Sequence, residues 1–385
     1  MNLHEFQAKR LFRDVGIPVP RGEVVDSPSV IVEVARRLGG GKWVVKAQVH
    51  AGERAAAGGI LISDDLNQIK QFAHVMLAER LVTAQNAPSG QPVNQLLIEL
   101  PYSIACEYYL SFLVDPHCGR IIVLAALFPP GGSSSLPSDE ALHRIEINPI
   151  TGLQLFQCRQ LAVKLGLAKR SWAEFVELLG RLYQLMLDKD LTLIEISPLA
   201  EDQHGRLMAL DAKISFDKNA LPRQPMLATL VDTSQDDFQE CRAMSKGLGF
   251  ISMEGEVSCI VNGSGLALAT LDMVQLKGGT IGNIIDVDNG VHAETLASAF
   301  KFLWRGGHGR VILVNIVGGI VRCDVVAEGV IAGMKQYDVH SPVIVRMEGS
   351  RAAEARELFM NSGLQVSLVA DLEQAVQSAV DVVKG

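Results

Sequence analysis

Residues 43–60 read W-V-V-K-A-Q-V-H-A-G-E-R-A-A-A-G-G-I, a β-branched strand followed by a loop of small residues. The strand carries one lysine, Lys46, and the loop carries one arginine, Arg54. A lysine inside a strand is costly to desolvate unless an anion meets it, and small loop residues let backbone N–H groups approach a phosphate. The segment is not a Walker A sequence, so alone it favours a phosphate site only weakly over an edge strand whose lysine faces water.

Length and composition limit the class of protein. A chain of 385 residues exceeds what one hydrophobic core usually holds, which predicts two or three domains. The 35 basic and 43 acidic residues are mixed, without a basic block, so the sequence predicts no nucleic-acid partner. No apolar run approaches the roughly 20 residues that a bilayer requires, so no membrane association is expected.

The cysteines and the first residues indicate the compartment. Six cysteines are scattered without a C-x-x-C pair, a pattern typical of reduced thiols in a cytosol. The first residues lack the apolar segment of a signal peptide and instead predict a helix, with Asn2 as N-cap, Glu5 three residues later and Gly16 as its end. We therefore expect a cytoplasmic protein.

The first half mixes helices and strands without regular alternation, which predicts an α+β architecture that clasps a nucleotide rather than a doubly wound sheet. A polar stretch at residues 231–237 is the predicted linker. Helices are predicted over residues 3–15, 28–38, 66–77, 157–165 and 172–189. Strands are predicted over residues 43–49, 95–99, 105–114, 120–127, 191–196 and 206–212.

The second half repeats one unit, an apolar strand, a glycine-containing turn and a helix. The turns fall at residues 262–265, 288–290, 317–319 and 348–350. This repetition predicts an α/β domain, a parallel sheet with helices on both faces, in which ligands gather at the carboxyl ends of the strands. The set of turns favours an anion or partner surface at that edge, although glycine also serves tight turns in any such fold.

Two acidic residues stand out in a predicted hairpin formed by residues 193–199 and 207–213. Glu195 and Asp211 interrupt apolar runs, and a carboxylate is costly to bury unpaired. Magnesium on a nucleotide needs one or two carboxylates, so Asp211 and Ser197 could supply oxygen ligands with Glu195 nearby. A salt bridge to Lys213 or Lys46 explains the same pattern equally well.

Long motifs over the whole chain resemble one family. They include N-L-H-E-F-Q-A-K, V-V-K-A-Q-V-H-A-G, L-I-E-I-S-P-L, V-N-G-S-G-L-A-L-A-T-L-D and V-N-I-V-G-G-I-V-R-C-D. The chain resembles the β subunit of succinyl-CoA synthetase (succinate–CoA ligase). The resemblance implies an N-terminal ATP-grasp domain, residues 1–232, and a flavodoxin-like CoA-ligase domain, residues 238–385. It also implies an α-subunit partner, in an αβ heterodimer or an α2β2 heterotetramer.

The resemblance further implies a reaction and a set of site residues. Succinate, CoA and a nucleoside triphosphate would give succinyl-CoA, nucleoside diphosphate and phosphate, a step of the tricarboxylic acid cycle. A histidine of the α subunit would carry the phosphate, and succinate and CoA would bind at the subunit interface.

The resemblance also implies which residues form the sites. ATP or ADP would be held by Lys46, Glu53, Arg54, Ala55, Glu99, Tyr102 and Glu107. One Mg²⁺ per subunit would be held by Ser197 and Asp211. Glu195 would be the catalytic residue that meets the phosphohistidine loop, and Asn262, Gly319, Ile320 and Val321 would lie against succinate.

The chain departs from the family pattern in its nucleotide loops. The family usually has glycine at positions 53 and 55 and asparagine at 197, where this chain has Glu53, Ala55 and Ser197. Residues 128–139 read F-P-P-G-G-S-S-S-L-P-S-D in place of an E-G-G segment, and residues 288–290 replace a glycine turn. These departures also allow a degenerate β-like binding subunit with little activity, or a ligase for another dicarboxylate such as malate.

Two further expectations concern side chains of the loop. In an active site Glu53 would point to solvent or pair with Arg54, which would leave Lys46 free for phosphate. In an inactive site Glu53 would pair with Lys46 in place of the phosphate. His50 lacks an adjacent acid or nucleophile in the sequence, so a packing role is favoured over catalysis.

Overall fold

The computed structural model describes the chain apart from residues 87–88, 130–136, 236–237, 245, 288–291, 306–308 and 320. The chain divides into two compact units, Met1–Gln235 and Asp236–Gly385. Most of segment 128–139, the turn 288–290, Ile320 and part of the predicted linker therefore lie outside the described residues. Among the helices that the structure describes, none is both long and apolar enough to cross a bilayer.

The first unit is built from antiparallel sheets and helices. Its helices are α1 (Glu5–Asp14), α2 (Ile31–Leu38), α3 (Leu66–Met76), α4 (Leu155–Lys164), α5 (Trp172–Asp188) and α6 (Pro225–Ala228). Its strands are β1 (Gly22–Val25), β2 (Trp43–Ala47), β3 (Ile60–Ser63), β4 (Arg80–Leu81), β5 (Gln91–Pro92), β6 (Leu96–Glu99), β7 (Cys106–Asp115), β8 (Arg120–Leu127), β9 (His143–Glu146), β10 (Leu191–Glu201), β11 (Leu207–Ala209) and β12 (Lys213–Phe216). The predicted α+β architecture is confirmed.

Two sheets carry most of this unit. One has the strand order β1-β6-β2-β3, and the other has the order β11-β10-β7-β8-β9 with β12 also paired to β10. Helix α5 covers the second sheet through Phe175, Leu178, Leu182 and Leu185, which recur every three or four residues and so share one buried face. Strand β2 lies between β6 and β3, so the alternative of an edge strand for residues 43–49 is wrong.

The predicted strand over residues 206–212 is interrupted. Strand β10 pairs with β12 through its first part and with β11 through its second part. On its other side, β10 has a bulge against β7 between Ile196 and Leu199. The pairs Glu195–Lys213 and Leu199–Ala209 bracket the break, so the continued register puts Ser197 opposite Asp211. Asp211 therefore lies in an irregular segment, not in a strand.

Helix α1 begins two residues later than an Asn2 cap requires. His4 is the N-cap residue, and its N–H donates to Gln7 Oε1 at 2.9 Å. Asn2 instead accepts a hydrogen bond from Ser215 Oγ at 2.6 Å beside β12, so the prediction of an Asn2 cap is wrong. The end of the helix at Gly16 is confirmed, because this glycine has φ +76° and its N–H donates to Arg13 O at 3.0 Å.

The second unit contains one sheet with the strand order β13-β15-β14-β16-β17-β18, parallel except for β13. Its strands are β13 (Gly249–Ser252), β14 (Val257–Val261), β15 (Ile281–Asp286), β16 (Val311–Gly318), β17 (Val343–Gly349) and β18 (Val366–Val369). Its helices are α7 (Phe238–Met244), α8 (Ser264–Leu276), α9 (Ala293–Arg305), α10 (Cys323–Gln336), α11 (Ala352–Asn361) and α12 (Leu372–Lys384). The predicted parallel sheet is confirmed, and the antiparallel strand β13 is an addition that the strand–turn–helix repeat does not contain.

The helices of the second unit cover both faces of its sheet. Helices α8 and α12 contribute to one hydrophobic cluster, while α9, α10 and α11 contribute to another. The two clusters have β14 and β16 in common because successive strand residues point to opposite faces. Helices α9 and α10 pack closely at Gly333, where an added Cβ would lie 2.4 Å from Cδ2 of the buried Phe300 ring.

We expect Gly333→Ala to destabilise the protein by about 1–3 kcal/mol, since the ring and the helices around it must shift to admit a methyl group. Thermal melting of the purified chain measures the effect. Gly265→Ala is the control in the same unit, because a Cβ at Gly265 meets nothing within 4 Å. Equal melting temperatures for the two variants would contradict the close helix contact.

Candidate functional site

A cavity of about 400 Å³ lies in the first unit. It is lined by residues of β2, the loop that follows, the β6–β7 connection, β10 and the break between β11 and β12. The residues that the sequence assigns to the nucleotide, to the metal and to catalysis in this unit all line it: Lys46, Glu53, Arg54, Ala55, Glu99, Tyr102, Glu107, Glu195, Ser197 and Asp211. The fold thus brings together positions that span more than 160 residues of sequence.

Lys46 is buried and fully engaged. Its Nζ lies 2.7 Å from Glu5 Oε1, 3.0 Å from Glu99 Oε2 and 2.6 Å from the main-chain oxygen of Leu210. Burial opposes the ammonium charge, but the carboxylates of Glu5, Glu99 and Asp211 outweigh burial and hold the pKa of Lys46 above its usual value. Lys46 is therefore a permanent cation at the wall of the cavity.

A second buried lysine lies behind Lys46. Lys9 Nζ contacts Glu5 Oε1 at 2.8 Å, Glu99 Oε1 at 2.7 Å and Leu210 O at 2.7 Å, so the two ammonium groups share the same three partners. Burial lowers the pKa of Lys9 from its usual value, with Glu5 acting against that effect. Neither Glu5 nor Lys9 is among the sequence candidates. Their spacing of four residues on α1, with both side chains on the buried face, is the sequence signal that could have found them.

Arg54 links this group to the metal candidates. Its Nη2 lies 2.6 Å from Glu5 Oε2 and 2.9 Å from each carboxylate oxygen of Asp211, and its Nη1 donates to Ala47 O at 2.9 Å. Burial disfavours the guanidinium charge, but Asp211 and Glu5 more than compensate and raise the pKa of Arg54. The partner of Asp211 is thus Arg54, and neither Lys46 nor Lys213 forms the predicted salt bridge with it.

Glu53 does not occupy the phosphate position. It is exposed, with φ +57°, a left-handed conformation that glycine adopts at no steric cost. The carboxylates at Lys46 are those of Glu5 and Glu99, so the expectation that Glu53 replaces the phosphate there is wrong. The alternative expectation, that Glu53 points to solvent, agrees with its exposure, although Lys46 still has the carboxylates of Glu5 and Glu99 as partners. Beyond Glu53, the loop continues through Arg54 and the exposed Ala55.

Glu195 and Ser197 extend from the same face of β10 because strand side chains alternate. Glu195 is opposite Lys213 in β12, and Tyr109 Oη donates to its Oε2 at 3.4 Å. Burial raises the pKa of Glu195, and the Lys213 charge opposes that shift without cancelling it. The side chain is therefore a carboxylate that is poorly solvated and poorly paired within the cavity.

The donors around Asp211 fit a magnesium ion. Asp211 and Ser197 offer hard oxygen atoms from opposite sides of the interrupted ladder, and the Asp211 side chain is 33% exposed to the cavity. The Arg54 guanidinium lies against both Asp211 oxygens, which shows that this position favours a positive charge. The described residues hold no group of three or more His, Cys, Asp or Glu side chains arranged for a metal. An ion here would accordingly take most ligands from phosphate and water.

His50 lies at the edge of the cavity and packs against His4, with 4.5 Å between the ring centroids. Burial, and then the neighbouring His4, lower the pKa of His50 to about 4. His50 is therefore neutral near pH 7. His4 Nε2 in turn contacts Asp232 Oδ2 at 2.8 Å. The geometry agrees with the predicted packing role for His50.

The candidates of the second unit lie at the carboxyl ends of β14 and β16. Asn262 Nδ2 donates to Val317 O at 2.9 Å, and its Oδ1 accepts from Val317 N at 2.8 Å, so this side chain ties the two strand ends together. Gly319 is exposed, whereas the Val321 side chain is buried and leaves only its backbone for a ligand. Ile320 lies outside the described residues.

The fold and the cavity define a class of two-domain protein. Residues 2–201 match the model of an ATP-grasp domain, and residues 260–381 match that of a CoA-ligase domain. The structure of ATP citrate lyase from Methanothrix soehngenii superposes with a TM-score of 0.77 over 99% of both chains at 15% identity, which supports the fold.

Relatives specify the family within this class. The chain is 42% identical to succinate–CoA ligase (ADP-forming) subunit beta of Halorhodospira halophila over 99% of both chains. It is 44% identical to the same subunit of Methylobacillus flagellatus over 100% of both chains. The chain belongs to the family of succinate–CoA ligase β subunits, which confirms the resemblance.

We expect Asp211→Asn to weaken the binding of Mg-ATP by roughly tenfold or more, because an amide replaces the charged oxygen that a hard cation prefers. Calorimetric titration with ATP, with and without Mg²⁺, measures the loss. Ser197→Asn is the matched variant, since a longer amide oxygen at that position should hold or improve the affinity. Unchanged Mg-ATP affinity in Asp211→Asn would refute the metal assignment.

We expect Glu195→Gln to be more stable than the unchanged protein at pH 8, and we expect this difference in stability to shrink as the pH falls. The raised pKa of Glu195 means that the folded state favours the neutral acid, so ionisation above the usual carboxyl range costs stability. Glutamine cannot ionise and avoids that cost. Melting temperatures of both proteins between pH 5 and pH 8 test this, and a difference independent of pH would contradict it.

Proposed function

We propose that this chain is the nucleotide-binding β subunit of an ADP-forming succinate–CoA ligase that acts together with an α subunit. The single observation that carries the proposal is the cavity of the first unit, which gathers every nucleotide, metal and catalytic candidate of that unit around the cations Lys46 and Arg54. The reaction would convert succinate, CoA and ATP to succinyl-CoA, ADP and phosphate, with the phosphate carried by a histidine of the α subunit.

The chemistry needs little more from this chain than position and charge. Phosphoryl transfer depends mainly on orienting the phosphate and neutralising its charge. Lys46 and Arg54 would bind the phosphates, with the loop at Glu53 and Ala55 over them, and Glu99, Tyr102 and Glu107 would complete the nucleotide site. Mg²⁺, held by Ser197 and Asp211, would supply further neutralisation of the phosphate oxygens. Because Arg54 occupies both Asp211 oxygens, Mg-nucleotide binding would exchange this ion pair for contacts of each partner with the nucleotide complex.

The remaining candidates concern the partner subunit. Glu195 would hydrogen-bond the α-subunit histidine when it reaches the nucleotide, which suits a carboxylate that lacks a strong partner of its own. Asn262, Gly319, Ile320 and Val321 would lie against succinate, on the domain of residues 238–385, while residues 1–232 form the nucleotide domain. The covalent intermediate belongs to the α subunit, so this chain needs no nucleophile. We further propose an αβ or α2β2 assembly in the cytoplasm.

The division of labour predicts that this chain alone forms no succinyl-CoA and that co-expression with the α subunit restores ATP-dependent thioester formation. The reason is that the phosphorylated histidine and the CoA pocket belong to the partner. A thioester assay on the isolated chain and on the complex decides the question. Robust ligation by the isolated chain would overturn the proposal.

We also expect Lys46→Met to cost about 2–3 kcal/mol of ATP affinity, the scale of a charge-assisted hydrogen bond and an uncompensated phosphate charge. Lys42 is exposed and immediately precedes β2, so Lys42→Met is the matched control. We expect this control to bind Mg-ATP as tightly as the unchanged protein does. Titration with Mg-ATP compares the three proteins. Tight binding that survives Lys46→Met would place the nucleotide elsewhere.

A further inference from the structure

Glu5 contacts three buried cations: Lys46 and Arg54, which line the cavity, and Lys9 behind them. Its Oε1 lies 2.7 Å from Lys46 Nζ and 2.8 Å from Lys9 Nζ, and its Oε2 lies 2.6 Å from Arg54 Nη2. Its side chain is 2% exposed. One carboxylate oxygen of Glu5 thus contacts both lysines, and the other contacts the arginine.

The charges of the ion-paired side chains around this residue balance. Glu5, Glu99 and Asp211 supply three negative charges against the three positive charges of Lys9, Lys46 and Arg54. Removing a partner from a buried ion pair leaves an uncompensated charge, which is strongly destabilising. Glu5 is thereby coupled to the site electrostatically as well as by contact.

Contacts other than those of Glu5 also dock helix α1. Ala8 and Phe12 pack into the core of the second sheet, and the N–H of Leu3 donates to Ile214 O at 3.0 Å. A carboxylate used only to fix the helix would need no contact with Lys46 on β2 and Arg54 in the loop. The placement of Glu5 between those two side chains points to a purpose at the site.

We propose that Glu5 is a positioning residue for the nucleotide site: its carboxylate holds Lys46 and Arg54 in the arrangement that receives phosphate, and Lys9 neutralises the surplus negative charge. The inference rests on the proposed function, since it assumes that the nucleotide binds in this cavity. Glu5 would act through the two cations and would not itself touch the nucleotide.

Two variants separate positioning from simple charge balance. Glu5→Gln keeps the size of the side chain but removes its charge, which leaves one surplus positive charge, and its amide N–H₂ group must face a cation. Adding Lys9→Met restores neutrality, with Glu99 and Asp211 against Lys46 and Arg54. The double variant therefore corrects the charge without replacing the carboxylate that holds the two cations.

The experiment measures thermal melting and calorimetric Mg-ATP binding for the unchanged chain, Glu5→Gln, Glu5→Gln with Lys9→Met, and the control Glu33→Gln on the exposed face of α2. We expect Glu5→Gln to melt lower and the double variant to regain much of that loss. We expect both to bind Mg-ATP at least tenfold more weakly than the unchanged chain, and Glu33→Gln to bind as tightly.

Two results would overturn the inference while leaving the proposed function intact: Glu5→Gln binds Mg-ATP as the unchanged chain does, or the double variant regains affinity together with stability. The second result would make Glu5 a structural charge partner only. Absence of binding by the unchanged chain, together with absence of ligation by its complex with the α subunit, would overturn the proposed function itself. The variants therefore test the role of Glu5, whereas the unchanged chain and its complex with the α subunit test the proposed function.

Discussion

The first unit depends on a cluster of three carboxylates and three cations, of which all but Asp211 are buried. Each cation lies within 3 Å of at least one carboxylate oxygen. Ions of this kind are tolerated inside a protein only when every charge is paired, because taking each from water costs several kcal/mol. The members come from α1, β2, the following loop, β6 and the break before β12, so pairing them fixes these five segments against one another.

That constraint also explains why Lys46 and Arg54 are charged in the cavity of the first unit before any ligand enters. The carboxylates hold the pKa of Lys46 and of Arg54 high, which keeps both side chains charged despite burial. In the proposed function, this pairing holds Lys46 and Arg54 in place before phosphate binds, and Arg54 then exchanges Asp211 for the nucleotide complex. Arg54 and Asp211 neutralise each other, and their ion pair joins the proposed phosphate position of the cavity to the proposed metal position.

The two units bring their candidate site residues together in different ways. In the second unit the edge follows from topology, since parallel strands end together and their turns share one side of the sheet. Asn262 then fixes two neighbouring strand ends by bonding both backbone groups of Val317. In the first unit the strands are antiparallel and give no such edge, and Asp211 and Ser197 reach the cavity from the break between β11 and β12 and from β10 beside it.

The sequence by itself determined the elements and the class of fold. Apolar periodicity located helices α1 to α5 and strands β2, β6, β7 and β8 to within a few residues, but it did not locate β1, β3, β4, β5, β9 or β12. The repeated strand–turn–helix unit predicted the parallel sheet, and Gly16 marked a helix end, because these signals are local. Family motifs carried the candidate residues, and the tertiary structure alone decided their partners. Nothing in the neighbourhood of Lys46 shows that Glu5 and Glu99 will meet it, or that Asp211 will face Arg54 instead of a lysine. Those pairings join residues up to 157 positions apart, and they form only in the folded chain, where each buried charge needs an opposite charge beside it.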